Sequence, residues 1–568
     1  MRCFFLVAAA TVAAAGGPIA QTSFGQLRGV VVMNDDDTAH AEAFLGVPFA
    51  EPPTGDLRFA APVDWSTPYA GGTLDATRYG ALCPQTLGGA STTVIGAEDC
   101  LQLNVWRPAG TKAGDKLPVQ FFVYGGAWVV GGGSFSGYNG TNVATAHNVI
   151  VVTTSYRVGA LGFLAFGDTD STGAGPVSAN HGFKDQQSAL RWLHAQAESL
   201  GGDPDRVMIY GESAGGVSVM HHAVSPASAG LFSRALSESG FPHAVWTGAY
   251  AVQRSADFGA RLGCDAAAAA AERLACMRSK PLADVMAAQA ADAASVGAGN
   301  PLLTTGWRPT VDGAGGSLPA NPLKLFAAGA IHASIDAFAA GTNHNEGALF
   351  VLPYFPQGMN ESVYADTLNA AFNKGGHVLN ASTLAAVRDL YPCASPTDCG
   401  QALADATADA HFVCGTRWVI RGVAARNGAQ TVAGKGATTA AYLYHWNYRS
   451  VNDHNKSAMF SDALGVYHTS ELPFVFGTPH AHYFDMNVSL WDMTPADHTL
   501  ADQIGRYWSS LATSGTPNGR GSGAHWPAYA ASADTNLRVN MNGAINTEVG
   551  RRKKLCDFWE STQVFALW

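Results

Sequence analysis

Residues 206–222 read RVMIYGESAGGVSVMHH. The apolar, β-rich run Val207–Tyr210 predicts a buried strand, and Gly216–His222 continues with helical spacing. Between them Gly211-Glu212-Ser213-Ala214-Gly215 matches G-x-S-x-G. A strand, a tight turn and a helix are the setting in which this pattern lifts a nucleophilic serine into the open. Small residues at 211, 214 and 215 let the backbone turn that sharply. The helix after Ser213 aims its first N–H groups and its positive dipole end at any oxyanion formed beside the serine. The competing reading is a glycine-rich turn with no chemistry.

Working outward, Val119–Tyr124, Val149–Ser155 and Ser334–Ala340 repeat the pattern of a strand that is apolar on both faces. Asp185–Ser199 carries Leu190, Trp192, Leu193 and Ala197 near helical spacing, and Asp265 is placed to cap a helix over Ala266–Ala271. Asn34–Asp37 reads as a hairpin turn between two early strands. Strands alternating with helices predict an α/β fold, with a large, mostly parallel central sheet and helices on both faces. Strand Val119–Tyr124 runs into Gly125-Gly126-Ala127-Trp128, whose N–H groups, with that of Ala214, can face a carbonyl oxygen. A phosphate-binding loop is the alternative there, but no G-K-[ST] follows.

Composition narrows the classes. Hydrophobic residues make up 47% of the 568, which argues against disorder. The net charge of −10 comes without basic blocks, so nucleic acid is not an expected partner. Arg2 followed by the apolar run Cys3–Ala15 and small residues at Ala13, Ala15 and Gly17 reads as a signal peptide over 1–17. Residues 18–568 are then one domain, with no stretch long enough to span a membrane. Removing Cys3 leaves eight of nine cysteines, an even number in an oxidising compartment. Zinc is disfavoured because no C-x-x-C pair occurs, and His480 and His482 read as solvated loop residues, so no metal is expected. Sequons at Asn139, Asn360, Asn380, Asn455 and Asn487 fit secretion.

The order of several longer strings carries a resemblance. They are FLGVPFAEPPTGDLRF (44–59), EDCLQLNVWRP (98–108), YGGAW (124–128), SYRVGALGFL (155–164), GGDPDRV (201–207), GESAGG (211–216), PTVDG (309–313), GTNHNEG (341–347) and YHTSELPFVFG (467–477). With them the chain resembles the type-B carboxylesterases, the cholinesterase-like branch of the α/β-hydrolase fold. The resemblance implies a catalytic serine, acid and histidine at Ser213, Glu346 and His468, in the chain order of α/β-hydrolases. It implies an oxyanion hole from Gly126, Ala127 and Ala214, and a further carboxylate at Glu212 that tunes electrostatics. It implies disulfides Cys83–Cys100, Cys264–Cys276 and Cys414–Cys556, leaving Cys393 and Cys399 to pair or stay free.

The family's first disulfide loop is here PQTLGGASTTVIGAED (84–99), without an aromatic residue. Choline-specific relatives place a Trp there for cation–π contact, so this departure argues against a choline ester. Leu303 and Thr305 stand where those relatives carry acyl-pocket aromatics. The expected activity is that of a secreted serine carboxylesterase acting on small-molecule esters through an acyl-enzyme, with no cofactor. The alternatives are a lipase of the same family and a catalytically inactive adhesion protein. The oligomeric state is not legible.

Overall fold

The structure, a computed structural model, describes the chain apart from residues 1–15, 36, 87–92, 168–176, 243, 266–267, 298–305, 373–378, 433–437, 452–461, 479–492 and 563–568. Residues 1–15 of the expected signal segment, His480, His482, Leu303, Thr305, Asn455 and Asn487 therefore lie outside the described residues.

Its frame is an 11-stranded sheet. In chain order the strands are β1 (Val30–Met33), β2 (His40–Pro48), β3 (Gln102–Pro108), β4 (Leu117–Val123), β5 (Ile150–Thr154) and β6 (Gly202–Glu212). They continue as β7 (Arg234–Glu238), β8 (Ala337–Asn343), β9 (Ala440–Trp446), β10 (Thr535–Val539) and β11 (Ile545–Val549). Across the sheet the order is β11-β10-β9-β8-β7-β6-β4-β5-β3-β2-β1. The run from β10 to β5 is parallel throughout, and the antiparallel pairs lie toward the two edges. Every residue of β5, β7 and β8 is buried. Successive side chains point to opposite faces, so such strands need cover on both, and that is why their sequences carry no polar alternation.

The helices around this sheet include α1 (His181–Gln196), α2 (Ala214–Val224), α3 (Glu361–Phe372) and α4 (Ala381–Leu390). Further along come α5 (Gly400–Thr407), α6 (Cys414–Val432), α7 (Pro495–Ser514) and α8 (Lys553–Ser561). A second apolar cluster beside the sheet joins Met359, Tyr364, Tyr391, Leu403 and Trp559. Disulfides close Cys83–Cys100, Cys264–Cys276, Cys393–Cys399 and Cys414–Cys556, the last tying α6 to α8. Among the described residues no helix is long and apolar enough to cross a membrane, and no cluster of three His, Cys, Asp or Glu has metal-binding geometry.

Several boundaries differ from the sequence reading, three of them instructively. β8 covers Ala337–Asn343 rather than Ser334–Ala340, because Gly341, Thr342 and Asn343 pair in register with Tyr444, His445 and Trp446 of β9. Helix α1 starts at His181, before the expected Asp185, and ends at Gln196. Its start is fixed by Asn180, whose side chain accepts from the Thr310 N–H at 2.7 Å and donates to Asp312 at 3.0 Å. The helix expected from Asp265 instead covers Ala270–Arg278, with Ala269 as its N-cap. Cys264 is bonded to Cys276 inside that helix, so the chain must double back before the helix can begin. The Asn34–Asp37 turn does join β1 to β2: Asn34 Oδ1 accepts from the N–H groups of Thr38 and Ala39 at 2.9 and 3.0 Å.

Candidate active site

Ser213 sits between β6 and α2 as the N-cap of α2, with φ 56° and ψ −124°. A non-glycine residue with positive φ is costly and is held only where the surroundings fix it. The fixings are its N–H, which donates to Glu238 O at 2.9 Å, and its C=O, which accepts from Val217 N at 2.8 Å. The glycines around it answer to close approach. A Cβ on Gly215 would lie 1.9 Å from Val123 O, and one on Gly216 would lie 2.4 Å from Glu238 O. The Oγ of Ser213 makes no hydrogen bond among the described residues, and the residue is partly exposed.

The loop after β4 lies against this turn: a Cβ on Gly125 would meet Glu212 Oε2 at 2.6 Å and Ser213 Cβ at 3.0 Å. Gly126, Ala127 and Trp128 all have positive φ, at 107°, 56° and 58°. The bend is closed by Val129 N and Val130 N donating to Gly126 O at 3.0 and 3.1 Å, and by Gly159 N donating to Trp128 O at 2.6 Å. The N–H groups of Gly126, Ala127 and Ala214 donate to no group among the described residues. Such unpaired donors beside an exposed hydroxyl suit a developing oxyanion.

Glu346 and His468 arrive from other parts of the chain. Glu346 follows β8, and His468 lies on a segment bridged to it, where Asn345 N donates to Val466 O at 2.9 Å. His468 Nδ1 stands 2.6 Å from Glu346 Oε2. The other carboxylate oxygen, Oε1, accepts from Ser239 Oγ at 2.6 Å and from Asn343 N at 2.7 Å. An imidazole with a buried carboxylate on Nδ1 carries its proton there and leaves Nε2 as a base. That Nε2 faces the serine turn, 3.0 Å from Glu212 Oε1, but neither atom has a hydrogen-bond partner. The rings of Phe350 and Phe412 pack on the imidazole at 5.0 and 4.9 Å. Phe412 stands on a one-turn π-helical stretch, Ala408–Val413, between α5 and α6.

Sequence reasoning singled out Ser213, Glu346, His468, Glu212, Gly126, Ala127 and Ala214. It missed Ser239, Asn343, Glu238 and Glu471, which act at this place only through folding. Glu238 ends β7 and Ser239, which has φ 52°, follows it, so one dipeptide holds both the serine turn and the acid.

Four carboxyl groups are gathered here, with Glu212 at 2%, Glu238 and Glu346 at 0% and Glu471 at 1% exposure. Burial, and after it the neighbouring carboxylates, holds Glu212 and Glu238 well above the ordinary range. Glu471 is pushed up to about 8, first by burial and then by the charge of Glu346. A carboxyl whose folded pKa exceeds its unfolded one contributes stability that is full below the unfolded value and lost as pH climbs to the folded value. For Glu471 that window runs from the ordinary 4.5 to about 8. Glu471→Gln should therefore raise the melting temperature relative to wild type more at pH 8 than at pH 5. An equal shift at both values in thermal unfolding would count against a neutral Glu471.

Comparison with known proteins places the chain. A model of the carboxylesterase family matches residues 16–559. The chain is 31% identical to an acetylcholinesterase of Bungarus fasciatus, over 95% of this chain and 85% of that one. It is 30% identical to carboxylesterase 5A of Canis lupus familiaris, over 98% and 91%. It is also 31% identical to a cocaine esterase of Oryctolagus cuniculus, over 96% of each chain.

Proposed function

The chain belongs to the carboxylesterase family of α/β-hydrolases, and from that premise we propose that it is a secreted serine carboxylesterase working through Ser213, His468 and Glu346. That it is a carboxylic ester hydrolase follows from the family and from relatives named as carboxylesterase, fatty acyl-CoA hydrolase and cocaine esterase. The observation that carries the finer reading is the 2.6 Å contact of His468 Nδ1 with Glu346, which leaves Nε2 as the base, 3.0 Å from Glu212 in the Ser213 turn.

The chemistry runs in two halves. Ser213 Oγ attacks the ester carbonyl while His468 Nε2 takes its proton, and Glu346 stabilises the imidazolium. The oxyanion is received by the N–H groups of Gly126, Ala127 and Ala214; one such donor is typically worth about 3–4 kcal/mol in the transition state. Collapse breaks the C–O bond, and His468 gives its proton to the leaving alcohol. Water then attacks the acyl-enzyme, with His468 again as base, and releases the acid and the serine. Glu212, whose pKa burial and the neighbouring carboxylates push well above the ordinary range, tunes the electrostatics beside the imidazole and transfers no proton. No cofactor takes part.

Short to medium acyl esters are the substrates favoured. The loop 84–99 offers no aromatic for a quaternary ammonium. A lipase is the second reading, supported by 30% identity to bile salt-activated lipase of Homo sapiens. An inactive adhesion protein is disfavoured because serine, acid and histidine are all present. A fluorescent organophosphonate should label the protein at one site, and Ser213→Ala should remove the label. A wild-type chain that stays unlabelled while folded would sink the serine mechanism. Faster turnover of emulsified triglyceride than of soluble esters would favour the lipase.

Secretion is supported by the four disulfides. The sequons add a test. Asn360 and Asn380 are exposed and precede α3 and α4; their Oδ1 atoms accept from Val363 N at 3.0 Å and Thr383 N at 2.8 Å. A sugar on Nδ2 leaves those bonds in place. At Asn139 the partner Thr141 is buried at 4% and bonds back to Asn139 Oδ1 at 2.6 Å. Expressed in a eukaryotic secretory host, the protein should carry glycans on peptides with Asn360 and Asn380 and none at Asn139, read by peptide mass after glycosidase treatment. A glycan on the Asn139 peptide of the active enzyme would overturn this assignment.

A further inference from the structure

We propose that Asn343 is a positioning residue that sets the spacing between the acid and the histidine, because its one side chain grips the chain on both sides of His468 while its backbone holds Glu346. The proposal rests on the Ser213–His468–Glu346 reading. Asn343 is the last residue of β8 and is fully buried. Its N–H donates to Glu346 Oε1 at 2.7 Å. Its Nδ2 donates to the C=O of Tyr467, the residue before His468, at 2.9 Å, and to Oε2 of Glu471, three residues after it. The hydroxyl of Ser470 lies 3.5 Å from the same nitrogen. Its own C=O accepts from half-buried Arg551 at 3.2 Å, and it stands in register with Trp446 of β9.

Every neighbour of Nδ2 is an oxygen, so the amide nitrogen is required there and its orientation is fixed. Because Asn343 pairs with Trp446 of β9 at the end of a strand that pairs with β7 up to Gly341, it is anchored to the sheet. The segment bearing His468 is a turn outside the sheet, joined to the acid loop through Asn343 and Asn345. Asn343 therefore transmits the rigidity of the sheet to the imidazole. A misplacement of a reacting group by about 1 Å costs roughly 100-fold in rate.

The test compares Asn343→Asp, Glu471→Gln and the double variant on a soluble ester. Asn343→Asp removes both N–H donors of the side chain and sets a carboxylate against Tyr467 O and Glu471. Its kcat should fall roughly 100-fold with KM near the wild-type value. In the double variant the amide introduced at position 471 can donate to the carboxylate introduced at position 343, which restores the bridge in reverse. Its kcat should recover at least tenfold over Asn343→Asp. Asn343→Ala carries no charge to bury and serves where the Asp variant fails to fold. Its kcat should fall similarly, and Glu471→Gln should not rescue it, because Ala has nothing to receive the amide. Wild-type kcat in a folded Asn343→Ala, or no recovery in the double Asp variant, would overturn the proposal. Ser213→Ala is run alongside: turnover surviving in it would show that the serine reading has failed, a different outcome from either.

Discussion

Replacing Ser213 by Ala should lower kcat/KM by about 10⁴- to 10⁶-fold and leave the melting temperature nearly unchanged. The two halves of that expectation have separate causes. On the proposed reading, the activity is lost because Ser213 supplies the oxygen that forms the acyl bond. The turn puts a partly exposed hydroxyl beside the unpaired N–H groups of Gly126, Ala127 and Ala214, with His468 Nε2 3.0 Å from the adjacent Glu212. What survives is the rate that water gains from a polarised carbonyl, which in comparable sites is still about 10³-fold over the uncatalysed reaction. The fold is kept because the oxygen being removed holds nothing: Ser213 Oγ has no hydrogen bond among the described residues. The positive φ is borne by the backbone bonds to Glu238 and Val217, which Ala retains. Progress curves on a soluble ester and thermal unfolding by circular dichroism check both halves. Activity above a tenth of wild type would remove Ser213 from the mechanism.

The contrast between Ser213 and its partners explains what the sequence can and cannot carry. Ser213 is a local feature. The strand before it, the helix after it and the glycines between them all lie within a few residues, and each has its own signature. Glu346 and His468 have no local signature. A carboxylate after a strand and a histidine in a loop are common, and only the order of longer family strings picked them out. Asn343, Ser239 and Glu471 are less legible still, because their roles are contacts made across the sheet end. The misplaced bounds of β8 have the same origin. Gly341-Thr342-Asn343 looks like a loop by composition, yet pairing with β9 draws it into the sheet. That pairing is also what puts the amide of Asn343 under the histidine. Intrinsic preference lost to tertiary pairing at the point where the site is built.

Glu346→Gln tests a partner that has no local signature and that only the longer family strings picked out. The side chain is fully buried and its two oxygens receive three donors: Ser239 Oγ, Asn343 N and His468 Nδ1. Glutamine has the same shape but one acceptor oxygen. The hydroxyl of Ser239 and the N–H of Asn343 both point at Oε1, so the amide oxygen is drawn to that side and the NH₂ group is left facing Nδ1. Two donors cannot share that contact. The imidazole must then move its proton to Nε2 and accept from the amide through Nδ1. In that tautomer Nε2 has no lone pair with which to take the proton of Ser213. The expected loss is about 10⁴-fold in kcat, with KM near wild type because nothing that contacts the substrate has changed. Stability should move the other way. The charge of Glu346 is one of the causes that raise the Glu471 pKa, so its removal lets Glu471 ionise more easily. The cost of keeping buried carboxyls together then falls, and the variant should melt higher than wild type at pH 8, where that cost is largest. A folded Glu346→Gln enzyme with kcat within tenfold of wild type would mean that the tautomer of His468 is set by some other group. A variant that is both inactive and less stable at pH 8 would mean that the carboxylate is needed chiefly to hold the loops together.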